Sequence, residues 1–138
     1  AVNSGTASLE IILRHLDVKD REVIVPTNTF ISCANVAVYA GGKPVLADIN
    51  EKTLCIDTNS VLEKITSKTK VIMAVHLAGL ICPNIDELKE ICEDKEIFLL
   101  EDAAQAHGAM SDDKKAGSIG DAGSFSFFPT TIGGLECP

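Results

Sequence analysis

The chain has 138 residues, with 12 Lys plus Arg against 20 Asp plus Glu and a formal charge of -8, a balance that excludes a nucleic-acid binder built on a basic stripe. Its hydrophobic content of 46% suits one domain with a sizeable core. The longest apolar run, Val71 to Val75, is far too short to span a bilayer, and the opening AVNSGT has no basic region leading into an apolar stretch, so neither a membrane segment nor a signal peptide is predicted.

In chain order, Leu9, Ile12, Leu13 and Leu16 follow helical spacing behind the cap-like Ser4 and Thr6, which predicts a helix over 6–16. Glu22 to Val25 is a β-branched run ended by Pro26. Phe30, Cys33, Ala34 and Ala37 then restart helical spacing as far as Gly41-Gly42. The alternation recurs with a strand at Pro44 to Ala47, a short helix over 58–66, a strand over 70–75, a helix over 84–93 and a strand over 96–101. The strands are continuous apolar runs (VIV, VIMAV, IFLL), the pattern of parallel strands covered by helices on both faces, so a layered α/β/α domain is expected. Beyond Gly108 come a charged turn, SDDKK, read as a solvated hairpin tip, a glycine-spaced segment, GSIGDAG, and an expected aromatic strand from Ser124 to Phe128. Five cysteines, Cys33, Cys55, Cys82, Cys92 and Cys137, are odd in number and contain no C-x-x-C pair, so they read as reduced, packed thiols of a cytoplasmic protein. The absence of an initiator methionine suggests a start upstream.

In open α/β sheets ligands bind outside the carboxyl ends of the strands, which selects Pro26-Thr27-Asn28, His76, Glu101-Asp102 and Pro129-Thr130-Thr131, together with the helix start Gly5-Thr6-Ala7. NSGTA puts a small turn at a helix N-terminus, where free amides and the helix dipole favour an anion such as phosphate, although Ser4 or Thr6 acting as a simple cap explains it equally well. An Asp at a strand end, as in EDAAQAHGA, can pair with a protonated pyridine nitrogen or merely cap the next turn. Ser126 in SFSFFPT offers a hydroxyl near the same crevice on a stretch that also suits plain packing. Phe30 suits either ring stacking or the core. His15 reads as a surface residue. His76 and His107 have no G-x-S-x-G elbow for a hydrolase triad and no short ligand spacing for a metal.

Taken together, NSGTA (3–7), VIVPTNTFISCANVAVYAGGKPVLADI (23–49), VHLAG (75–79), EDAAQAHGA (101–109) and GSIGDAGSFSFFPT (117–130) resemble the DegT/DnrJ/EryC1/StrS sugar aminotransferases in order and spacing. The resemblance implies a fold-type-I large domain that holds pyridoxal 5'-phosphate (PLP), in which residues 1–138 are a partial large domain without the small C-terminal domain. It further implies a cytoplasmic homodimer that moves an amino group from a glutamate-type donor onto a keto-sugar nucleotide. Position by position, Thr6 and the amide of Ala7 would hold the cofactor phosphate, with Ser126 as a further phosphate ligand. Phe30 and Ala104 would lie on opposite faces of the ring, Asp102 would pair with its nitrogen, and Gln105 would contact its hydroxyl.

The departure is Thr131, which stands where the family has the lysine that anchors PLP covalently, five residues after the serine matched by Ser126. A threonine supplies neither a Schiff-base amine nor a proton-shuttling base, so transamination by the chain as written is not expected. Lys114 and Lys115 are no substitute in a surface hairpin. The two readings are an incomplete portion of an aminotransferase and a non-catalytic, PLP-pocketed partner of a complete relative. A Rossmann oxidoreductase is discounted, because no G-x-G-x-x-G joins the first strand to a helix.

Overall fold

Ser4 starts the first helix by accepting the Ala7 amide on its Oγ at 3.1 Å, and Leu9 and Leu13, one turn apart, bury the inner face of α1 (Gly5–His15). Arg14 closes α1 by donating to the Tyr39 carbonyl at 2.7 Å, which ties the end of α1 to the end of α2 (Ser32–Tyr39). The structure is a computed structural model, and residues 1–128 are described.

Five strands form a parallel sheet in the order β2-β1-β3-β4-β7: β1 (Glu22–Pro26), β2 (Lys43–Ala47), β3 (Thr69–Val75), β4 (Phe98–Asp102) and β7 (Ala122–Ser124). Their alternate residues divide the core. Val23, Val25, Val71, Met73 and Leu100 pack against α1 and α2. Ile24, Ile72, Ala74 and Leu99 pack against α3 (Thr58–Lys64) and α4 (Ile85–Lys95). The period-two alternation of strand side chains therefore accounts for apolar runs with no polar positions, since both faces are covered. The expected α/β/α layering is observed.

Several boundaries move. The β4 strand begins at Phe98, because Glu96 takes a left-handed conformation that ends α4. The helix expected from Phe30 begins at Ser32. The larger correction is the aromatic strand, which spans Ala122–Ser124 and not Ser124 to Phe128. Among the described residues its only ladder partner is β4, whose last residue, Asp102, pairs with Ser124, so Phe125 has no described strand to bond to and the chain leaves the sheet. Phe125 then packs on the core edge, while Phe127 is 77% exposed. The SDDKK turn is a hairpin tip between β5 (Met110–Ser111) and β6 (Lys114–Lys115), with Asp112 and Asp113 both at positive φ. Both lysines are exposed there.

Cys33, Cys55, Cys82 and Cys92 are buried free thiols, and Cys137 lies outside the described residues. Among the described residues no helix is long and apolar enough to cross a membrane.

Candidate cofactor site

The sheet order reverses direction between β1 and β3, the switch point at which open α/β sheets leave a crevice at the carboxyl ends. A cavity of about 380 Å³ opens there, within the range of small-molecule sites. Volume does not single it out, since cavities of about 340 and 410 Å³ lie elsewhere. Position and chemistry do. Thr6, Phe30, Asp102, Ala104, Gln105 and Ser126 all line this one cavity, although they come from four separate stretches of the chain.

Ala7 is the predicted residue that does not line it. Its amide is already held by Ser4 Oγ, so the capping alternative for NSGTA is correct for Ser4. The first-turn amides of Gly5 and Thr6 have no partner among the described residues. Gly5 serves close approach: a Cβ there would sit 2.9 Å from Ser126 Cβ, so only glycine lets the start of α1 rest against Ser126. Ser124 adds a bond from its Oγ to the Gly5 carbonyl at 3.4 Å, joining α1 to the end of β7.

Phe30 is 70% exposed, so it is no core residue and its ring faces the cavity and solvent. Gln105 reaches across to Ala78, whose amide donates to Oε1 at 2.8 Å. That bond pins the 3-10 turn Leu77–Gly79, in which Ala78 holds a left-handed conformation at φ 52, a costly state for a residue with a Cβ. With Oε1 turned to the Ala78 amide, the Nε2 group is the one that suits a ligand acceptor.

Asp102 is 6% exposed. Its Oδ1 accepts from the Ala104 amide at 3.0 Å and its Oδ2 from Cys33 Sγ at 3.1 Å. No cation pairs with it among the described residues. A buried carboxylate that lines a cavity with two neutral donors and no positive partner is a ready receptor for a cationic ligand atom.

The acidic pair at the strand end divides by function. Glu101, the neighbour of Asp102 in β4, points to the opposite face and is fully buried. Its Oε2 accepts from His76 Nε2 and the Gly117 amide, both at 2.7 Å, and its Oε1 from the amides of Ile119 at 2.7 Å and Gly120 at 2.6 Å. Burial alone would raise the Glu101 pKa. The hydrogen bond from His76 and those from the amides of Gly120, Gly117 and Ile119 outweigh it and hold the carboxyl below its ordinary value. The Cys82 amide donates to His76 Nδ1 at 3.2 Å, so that nitrogen carries the lone pair and Nε2 carries the proton given to Glu101. His76 is thus the neutral Nε2–H tautomer and no acid or base of a triad. The glycine-spaced segment is a loop wrapped around the Glu101 carboxylate, a role that the residue spacing did not disclose.

His107 lies outside the cavity, with its ring 5.3 Å from that of Phe125 and 4.9 Å from that of Phe127. Thr131 lies outside the described residues.

Comparison with known proteins bears on the family and the fold. Residues 1–132 match the DegT/DnrJ/EryC1/StrS aminotransferase family. GDP-perosamine synthase of Vibrio cholerae is 39% identical over 128 residues, which cover 92% of this chain and 35% of that protein. A dTDP-3-amino-3,6-dideoxy-alpha-D-galactopyranose transaminase of Aneurinibacillus thermoaerophilus is 42% identical, covering 91% and 35%. Among solved structures, the aminotransferase from Psychrobacter cryohalolentis superposes with a TM-score of 0.86 at 39% identity, covering 90% of this chain and 31% of that one. A Streptococcus pneumoniae protein described as a sugar aminotransferase, in its PLP form, superposes with a TM-score of 0.86 at 38% identity, covering 91% and 36%. The chain therefore spans about a third of the length of the relatives it matches. The fold is that of the fold-type-I PLP aminotransferases, and the chain belongs to the DegT/DnrJ/EryC1/StrS aminotransferase family.

Proposed function

We propose that this chain supplies the cofactor-holding part of a PLP-dependent aminotransferase that moves an amino group from a glutamate-type donor onto a keto-sugar nucleotide. The observation that carries the reading is Asp102, a buried carboxylate lining the switch-point cavity with neutral donors but no cation among the described residues. A protonated pyridine nitrogen is the partner this arrangement suits. When bound, PLP supplies an electron sink for bond breaking at the amino-bearing carbon.

The chain's own residues bind and orient. Asp102 keeps the ring nitrogen protonated by accepting its hydrogen. Gln105, with Oε1 turned to Ala78, donates from Nε2 to the ring hydroxyl. Phe30 and Ala104 lie against the two ring faces. Thr6 and the start of α1, with Ser126, hold the phosphate, and the amides that suit it are those of Gly5 and Thr6, because Ser4 already occupies that of Ala7. A homodimer, with residues 1–138 as part of the large domain, completes the proposal.

Thr131 favours a second reading, a PLP-pocketed partner without transamination of its own, since a hydroxyl provides no amine for covalent anchorage. Incubation of the full-length protein with PLP, glutamate and a keto-sugar nucleotide separates the two. Formation of 2-oxoglutarate together with the aminated sugar supports the first. Reversible PLP binding with no 2-oxoglutarate supports the second, and no PLP binding refutes both.

A further inference from the structure

Cys33 is the second residue of α2 and is separated from Asp102 by 69 positions, yet its thiol is the donor to Oδ2 at 3.1 Å. Thr29 Oγ1 lies 3.2 Å from the same sulfur. An ionised carboxylate only accepts, so the thiol hydrogen goes to Asp102 and the sulfur is left to accept the Thr29 hydroxyl hydrogen. The direction of the relay is therefore fixed: Thr29 to Cys33 to Asp102. Resting on the reading of Asp102 as the partner of a cationic ring nitrogen, we propose that Cys33, steadied by Thr29, is a positioning residue that fixes the Asp102 carboxylate for that nitrogen.

The geometry supports the role in three ways. Of about four lone-pair directions on a carboxylate, the Ala104 amide takes one on Oδ1 and Cys33 one on Oδ2, so the plane of the group is set by a donor on each oxygen. Cys33 is fully buried in the first turn of α2, so it is held by helix and core. The amino end of that helix also favours the negative charge. Finally, burial first, and the charge of Asp102 second, push the Cys33 thiol up to about 12, so it remains a donor across the neutral range. A thiol is a weak donor, and it orients the carboxylate while leaving most of its charge for the ring.

The test uses pyridoxamine 5'-phosphate, whose binding requires no covalent lysine, titrated calorimetrically into the full-length protein between pH 6 and 10. Cys33→Ala is expected to weaken binding about 3- to 10-fold, the loss of one modest hydrogen bond, and to lower the pH above which affinity falls, because the ring nitrogen loses its proton earlier. Cys33→Ser, which restores a donor, is expected to recover both. Should Cys33→Ala lose the native circular-dichroism signal, Thr29→Val decides by the same threefold criterion. Affinity changed less than threefold, with an unmoved alkaline limit, overturns the proposal. Asp102→Asn distinguishes the two levels. If it loses binding while the Cys33 variants do not, the positioning role fails and the Asp102 reading stands. If Asp102→Asn, or the wild type's failure to bind, shows Asp102 to be irrelevant, both fail.

Discussion

Replacing Glu101 by Gln changes one oxygen for an amide nitrogen in a site that the fold has filled with donors. Four hydrogen-bond donors converge on the Glu101 carboxylate, two on each oxygen. Gln keeps one acceptor oxygen, so two donors are served and two face an NH2 group. His76 has no way to adapt by tautomer exchange, because its Nδ1 already accepts from Cys82. At about 1–3 kcal/mol for each donor left unpaired, Glu101→Gln should cost about 2–6 kcal/mol, a large share of a typical domain stability of about 5–15 kcal/mol. Urea unfolding followed by far-UV circular dichroism at pH 7 measures the difference. The sign with pH follows from the lowered pKa. Glu101 contributes stability fully above its ordinary value of 4.5 and loses it as pH falls through its lower folded-state value. The wild type should therefore lose its advantage over Glu101→Gln only in the acid range below 4.5. A Glu101→Gln protein within about 0.5 kcal/mol of wild type at pH 7 would refute the clamp.

Gly123→Ala places a Cβ 2.4 Å from backbone atoms of Gly117, which cannot rotate away; a loss of about 1–3 kcal/mol is expected, read as a fall in Tm, and an unchanged Tm would count against the packing. His107 has both ring nitrogens buried without a partner among the described residues. His107→Phe keeps an aromatic ring between Phe125 and Phe127 and should raise stability by about 1–2 kcal/mol, whereas a decrease in chemical denaturation would reveal an unseen polar role. Cys33, with its thiol raised to about 12, should resist iodoacetamide at pH 8 in the folded protein and react once unfolded in urea; native-state labelling found by peptide mapping would contradict its burial.

The sheet was legible in the sequence because a strand covered on both faces must be apolar throughout, and VIV, VIMAV and IFLL are such runs. The strand-end place of Asp102 was legible for the same reason, whereas Ala104 and Gln105 were pointed to only by the family resemblance. What was not legible depends on partners far away in the chain. The strand at Ser124 stops because β4 stops at Asp102, a register that no local pattern encodes. The separation of Glu101 from Asp102 follows from strand periodicity and was available in principle, but its donors at His76, Gly117, Ile119 and Gly120 were not. Phe30 read equally as core or ring contact until its exposure decided against the core. Ala7 was assigned a phosphate amide that the Ser4 cap already holds, a competition between two uses of one helix N-terminus that sequence alone leaves open.

The most direct test of the central claim is a crystal structure of the full-length protein with pyridoxamine 5'-phosphate. The account predicts the ring nitrogen within about 2.7–2.9 Å of an Asp102 carboxylate oxygen and the phosphate at the start of α1 between Thr6 and Ser126. A ring whose nitrogen meets no carboxylate, or a phosphate seated away from α1, would contradict it.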